Sequence, residues 1–212
     1  MDHFAHLDGV MHAEDVPLPQ IADAVGTPVY VYSRATLERH ARVFREALAD
    51  VPDKLIAFAV KSNPNLAVLK VLGRQGMGAD VVSVGEMRRA LAAAIAPEMI
   101  VFSGVGKTAA EMVAALDAGI GQFNIESEEE GLELAAIASA KGMTAQCTLR
   151  INPDVDAGTH DKISTGKADN KFGVPISEAG QIFGTLAGLP GINLRGVAVH
   201  IGSQLADLAP LE

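Results

Sequence analysis

Tryptophan is absent from this sequence, aromatic residues make up 4% of it, and it holds one cysteine in 212 residues. So few aromatics leave little on which to stack bases, which argues against a single-stranded nucleic-acid platform. The lone thiol, Cys147, lies inside an apolar, strand-like run and has no second cysteine to bridge to. It reads as a small buried hydrophobe, suited to a reducing compartment, and the expected location is cytoplasmic. Positive charge is also scarce: Lys+Arg 17 against Asp+Glu 26 gives a net charge of −9. With no basic run, neither nucleic acid nor an anionic membrane is an expected partner. No apolar run approaches the length that spans a bilayer. The start, Met1-Asp-His-Phe-Ala-His6, lacks the basic and apolar segments of a signal peptide, so none is expected. His3, His6 and His12 are irregularly spaced and unaccompanied by cysteine, so no metal site is expected there.

Apolar residues are 49% and charged residues 20%, the composition of a globular chain with one sizeable core. Residues 1–32 read as a separate piece. Val16-Pro-Leu-Pro19 is turn-like, Ile21–Val25 a short helix, Gly26-Thr-Pro28 its breaker, and Val29-Tyr-Val-Tyr32 a β-rich run. Ser33 then caps a helix whose apolar face is Leu37, Ala41, Phe44 and Leu48.

From residue 55 the pattern alternates. Strands are expected at 55–60, 78–83, 99–103, 122–126, 145–151 and 195–201. Helices are expected between them, the first with Asn63 as its cap and Pro64 as its first residue. Three capping boxes, Ser83–Glu86, Thr108–Glu111 and Ser127–Glu130, mark helix starts. Strand, box, helix, repeated every 20–25 residues or so, is the signature of βα units around a parallel sheet. No Gly-x-Gly-x-x-Gly follows the first strand, which excludes the dinucleotide reading. The glycines of Gly73–Gly78 follow a helix and serve to end it.

The chemistry-bearing residues fall at or just after the strands' carboxyl ends: Lys61, Ser83, Ser103, Glu126, Arg150, Asn152 and His200, with Asp80 inside its strand. In a (β/α) barrel that end builds the active site. Lys61 closes an apolar strand, a setting in which an amine can act as a nucleophile or can simply reach water. His200-Ile-Gly-Ser203 adds an imidazole, and backbone N–H groups with a hydroxyl suited to an anion. Amine, imidazole and anion site together suit an aldehyde cofactor that bears a phosphate, pyridoxal 5'-phosphate.

Five stretches carry a resemblance to a known family: Tyr30-Val-Tyr32; Ala57-Phe-Ala-Val-Lys-Ser-Asn63; Gly78-Ala-Asp-Val-Val-Ser-Val-Gly-Glu86; His200-Ile-Gly-Ser-Gln204; and Arg150 through His160 to Lys171-Phe-Gly173. The sequence resembles the fold-type III, alanine-racemase-like pyridoxal-phosphate-dependent decarboxylases. The fifth stretch is similar in particular to the branch that decarboxylates meso-2,6-diaminopimelate to L-lysine. The resemblance implies an α/β fold, a (β/α)8 barrel of which six βα units are present in residues 33–212. It implies that residues 1–32 pack in a C-terminal β domain. It implies Lys61 as the covalent anchor of the cofactor, His200 stacked on its ring, Asp80 and Arg150 lining the site, and Gly202 and Ser203 binding the phosphate. Thr159 to Gly166, with His160, Lys162, Ser164 and Thr165, would be a loop closing over the substrate.

Members of that family are about twice as long and work as homodimers. The resemblance therefore implies that the β domain, two barrel strands, the glycine-rich phosphate loop and the ring-nitrogen glutamate lie outside these residues. It also implies that this chain alone has little or no activity. A related decarboxylase of arginine, ornithine or carboxynorspermidine, a non-enzymatic pyridoxal-phosphate carrier, and an inert fragment are the alternatives.

Overall fold

The computed structural model describes residues 3–155, 172–203, 205, 207 and 209–211. Its first part is a small antiparallel sheet that the alternation alone did not suggest. Strand β1 (Phe4–Leu7) pairs β2 (Val10–Ala13), and β2 pairs β3 (Val16–Pro17). The β1–β2 connection is Asp8-Gly9, both at positive φ, the two-residue hairpin signal that was available in the sequence. Helix α1 (Leu18–Val25) starts earlier than the expected Ile21, with Pro19 in its first turn.

The β-rich run Val29–Tyr32 is not a strand. Tyr30 is 87% exposed and Tyr32 51%, and no described strand pairs with either. A high β-propensity is realised only where a ladder partner and a half-buried surface exist. Helix α2 (Arg34–Ala47) is capped by Ser33, whose Oγ accepts from Thr36 N–H at 3.0 Å. The hairpin is tied to this cap. The Glu14 carboxylate accepts from the Ser33 hydroxyl at 2.7 Å and from Ala35 N–H at 2.8 Å. Those bonds, the Ala35 amide foremost, hold the Glu14 carboxyl below its ordinary range. Of the expected apolar face of α2, Ala41 is buried with Leu37 against Val68 and Leu72, whereas Phe44 is exposed.

The rest is one parallel sheet with its strands in chain order: β4 (Ala57–Ala59), β5 (Gly78–Val81), β6 (Ile100–Phe102), β7 (Gln122–Ile125), β8 (Ala145–Asn152) and β10 (Ile192–Val199). The short β9 (Val174–Pro175) pairs the end of β8. Helices α3 (Leu66–Arg74), α4 (Val84–Ala92), α5 (Ala109–Ala118), α6 (Glu128–Ala140) and α7 (Ile176–Ala187) connect them. Right-handed crossovers that never reverse direction put every helix on one face, the winding of a barrel and not of a doubly wound sheet. Six βα strands are thus those of a partial barrel, as expected.

Alternation divides the sheet. Ala79, Val81, Ile100, Phe102, Phe123, Ile125, Cys147 and Leu149 face the helices and are essentially inaccessible. Full burial of each larger side chain stabilises by about 2 kcal/mol. Phe102 and Phe123 stack at 6.3 Å between ring centroids. Cys147 is a member of this core, and burial pushes its thiol up to about 12, so it is inert at neutral pH. Two glycines let neighbouring segments touch. A Cβ on Gly78 would collide with the Met99 carbonyl oxygen, and one on Gly121 with that of Glu98.

The other face is polar: Asp80, Gln122, Asn124, Gln146, Thr148, Arg150 and Asn152 share it by register. Its carboxyl-end mouth is drawn together by the capping residues. Thr108–Glu111 is a full capping box. Ser83 and Ser127 accept from the N–H of Glu86 and Glu130, but those two carboxylates reach elsewhere, to Val82 N–H and to Lys107. Glu111 also accepts from Val84 N–H of the preceding unit at 3.0 Å.

Candidate functional site

At the carboxyl ends of these strands the inner face opens into a cleft of about 430 Å³. That is within the range of small-molecule sites. Lys61, Asp80, Ser103, Arg150, His200 and Ser203 all line it. Five strands, β4, β5, β6, β8 and β10, thus bring together residues that are far apart in sequence. Gly202 sits between His200 and Ser203 and is half-buried. The loop residues His160, Lys162, Ser164, Thr165 and Gly166 lie outside the described residues.

Lys61 stands in a 3-10 turn, Val60–Ser62, that directly continues β4. Val60 is fully buried and pins the turn, while Lys61 is exposed towards the cleft. Helix α3 does not begin where expected. Asn63 is extended, as the residue before a proline prefers, and its side chain accepts from Asn65 N–H at 3.2 Å. Asn65 is the true cap, accepting from Ala67 N–H at 2.8 Å. The two extra residues set the lysine on a turn of its own, one step ahead of the helix.

His200 owes its direction to an irregularity. In β10, Leu194 is level with Cys147, which faces the helices, but Gly196 is level with Thr148, which faces the cleft. The residue gained there, a bulge at Arg195, reverses the alternation. Gly196, Ala198 and His200 therefore point inward, while Val197 falls on the helix side and is exposed. The His200 ring is accessible from the cleft but desolvated on its flanks. That burial, then the cations of Arg150 and Lys61, hold it below the ordinary histidine value, and Asp80 opposes them weakly. At neutral pH it is an uncharged imidazole.

Arg150 is held flat. Its Nη1 donates to both oxygens of Glu126, at 2.9 and 3.1 Å, and its guanidinium lies 5.1 Å from the Phe172 ring centroid. Glu126 is buried and also accepts from Gly104 N–H at 2.7 Å. The Gly104 carbonyl in turn accepts from Lys107 Nζ at 2.7 Å. Lys107 is buried and spends its remaining donors on Asn124 O at 2.8 Å and Glu130 Oε1 at 2.7 Å. Minus, plus, minus, plus, from Glu130 to Arg150, this chain of contacts fixes the loop after β6 against the two following units. Asn124 lines the cleft and was not expected there, nor was the Lys107–Glu130 pair whose lysine holds the Asn124 carbonyl. A lysine before a capping box reads as solvated, and only its contacts reveal otherwise. Ser83 and Asn152, by contrast, have local duties: Ser83 caps α4, and Asn152 accepts from Asp154 N–H at 3.1 Å.

The donor set fits pyridoxal 5'-phosphate. A primary amine stands at the rim for the aldehyde, and a neutral imidazole can lie against an aromatic ring. A hydroxyl after Gly202 and the Arg150 cation are of the sign that a phosphate ester requires. Among the described residues no group of three or more His, Cys, Asp or Glu is arranged to hold a metal. No described helix is long and apolar enough to cross a membrane.

Comparison with known proteins agrees. Residues 34–212 match the family model of the pyridoxal-dependent decarboxylase, pyridoxal binding domain. Diaminopimelate decarboxylases of Zymomonas mobilis and Vibrio cholerae are 54% and 53% identical to this chain over 211 residues, 99% of it and 50% of each of them. Among solved structures, the diaminopimelate decarboxylase of M. jannaschii in complex with L-lysine superposes with a TM-score of 0.90 at 34% identity, covering 98% of this chain and 50% of that one. The Helicobacter pylori enzyme complexed with L-lysine gives 0.86 at 40% identity, over 92% of this chain and 49% of its own. This chain spans about half the length of the curated relatives it matches. The chain belongs to the pyridoxal-dependent decarboxylase family.

Proposed function

We propose that this member of the pyridoxal-dependent decarboxylases is the cofactor-holding barrel portion of an enzyme that converts meso-2,6-diaminopimelate to L-lysine and carbon dioxide. The observation that carries the reading is the convergence of Lys61, Asp80, Arg150, His200 and Ser203 on one cleft. The substrate is supported by the names of relatives at 42–54% identity. We further propose a homodimer of the whole protein, a cytoplasmic location, and residues 1–32 as a contribution to a separate β domain.

In this reading pyridoxal phosphate, when bound, supplies the electron sink that lets an α-carboxylate leave as carbon dioxide. Lys61 Nζ would hold the cofactor covalently and, as a free amine, could serve as a base or acid. Its exposed turn gives it the freedom to swing away and return. His200 would hold the ring with an uncharged imidazole, because burial and then the Arg150 and Lys61 cations lower its value. Asp80 balances the cations that remain. Arg150, locked by Glu126 and Phe172, would offer a fixed positive charge to the cofactor. The buried floor of the cleft excludes water from below, which strengthens each of these interactions.

An absorbance scan after addition of pyridoxal phosphate tests the assignment. The chain should develop the visible band of a lysine-bound aldehyde, and Lys61→Ala should not. The same band in both proteins would sink the assignment of Lys61, and a band in neither would sink the cofactor site.

A further inference from the structure

Along the wall of the cleft a run of polar side chains crosses four neighbouring strands, and of its members only Asp80 has a part in the proposed mechanism. Gln122 Nε2 and Thr148 Oγ1 donate to Asn124 Oδ1 at 2.8 and 2.6 Å. Asn124 Nδ2 donates to Ser103 Oγ at 2.9 Å. The Ser103 hydroxyl donates to Asp80 Oδ1 at 2.5 Å. From Thr148 on β8 through Asn124 on β7 and Ser103 after β6 the donors lead towards Asp80 on β5, while Gln122 Nε2 also reaches back to Thr148 Oγ1 at 3.4 Å. Each acceptor along the run is occupied, so no member can turn without leaving another unpaired. Reversing the run requires a proton on Asp80 and a half-turn of both amides. The run therefore favours one state at its end, an ionised carboxylate with one oxygen already fixed.

Asp80 is where that state matters. Three cations or potential cations act on it: Lys61 after β4, Arg150 on β8 and His200 after β10. A carboxylate free to rotate or to protonate would be a poor counter-charge for them, and burial presses it towards the neutral form. We propose that Ser103 and Asn124 are positioning residues which hold Asp80 ionised and fixed opposite Lys61, His200 and Arg150. This rests on the cleft being the cofactor site proposed above, but its test does not require cofactor.

The carboxyl carbon of Asp80 is followed by carbon-13 NMR against pH in the full chain without cofactor, and identified by its loss in Asp80→Asn. In Ser103→Ala the midpoint rises by about one pH unit, a tenfold weaker acid, because the hydroxyl no longer stabilises the charge. Ser103→Thr keeps the hydroxyl and restores the parent midpoint. Asn124→Ala moves it in the same direction by less, through a Ser103 that is no longer held. A folded Ser103→Ala with the parent's midpoint overturns the proposal, as does failure of Ser103→Thr to restore it. A purely structural role would lower the melting temperature and leave the midpoint in place. If the parent shows no cofactor band yet the midpoints move as stated, the cofactor reading fails and the positioning role stands. If the band forms and the midpoints do not move, the reverse holds.

Discussion

Asp80 and His200 share one cleft, and burial displaces each of them in the direction that disfavours charge. For Asp80 desolvation wins over the Ser103 hydrogen bond and the nearby cations, so its carboxyl lies above the ordinary aspartate value. A carboxyl whose folded value is raised contributes stability below its unfolded value and loses it as pH rises through the folded one. At neutral pH the ionised Asp80 is then a cost to the fold, one retained for function. Asp80→Asn keeps an acceptor for Ser103 and removes the charge. Thermal melts should show it stabler than the parent at pH 7, by about 2–4 °C for each kcal/mol in a chain of this size, with no gain near pH ~3 where the parent is itself protonated. A lower melting temperature at pH 7 would contradict the sign of this account. His200 runs the other way. Its value is lowered, so the fold loses stability as pH falls below the ordinary histidine range.

At the scale of elements, the loop after β6 shows what ties one βα unit to the next. Lys107, with 1% of its side chain exposed, joins Gly104, Asn124 and Glu130. Removing one partner of a buried pair strands the other charge, so Lys107→Met should lower the unfolding free energy by about 3 kcal/mol. Adding Glu130→Gln should recover part of that loss. Urea midpoints measure both, and a single variant no weaker than the double one would refute the role of the stranded charge. None of this was legible in sequence, where Lys107 is one more polar residue before a capping box. The strand-cap-helix rhythm was legible, because Ser83, Thr108 and Ser127 each accept from the N–H three residues on, within one turn, although only Glu111 closes its box. So was the position of Lys61 at a strand end. What defeated sequence reading was pairing across distance. Val29–Tyr32 has the residues of a strand and no ladder. Strict alternation would have aimed His200 at the helices, and the bulge at Arg195 aims it at the cleft.

At the scale of the molecule, six parallel strands in chain order gather one polar mouth from residues 61 to 203. The sheet has β4 and β10 as its outer strands, unpaired with one another among the described residues. Val197 on β10 and Tyr30 and Tyr32 before α2 are exposed apolar side chains. In the proposed function the decisive chemistry falls on a single amine, Lys61, out of several. Lys107 is buried and fully bonded, and Lys54 bonds Val51 O at 2.8 Å. Lys141 pairs with Asp117 at 2.8 Å. Borohydride reduction in the presence of pyridoxal phosphate, followed by peptide mass mapping, reads which lysine forms the bond. The account predicts one stoichiometric label, on the peptide that carries Lys61. A label spread over Lys54, Lys70 and Lys141, or none on Lys61, would contradict it.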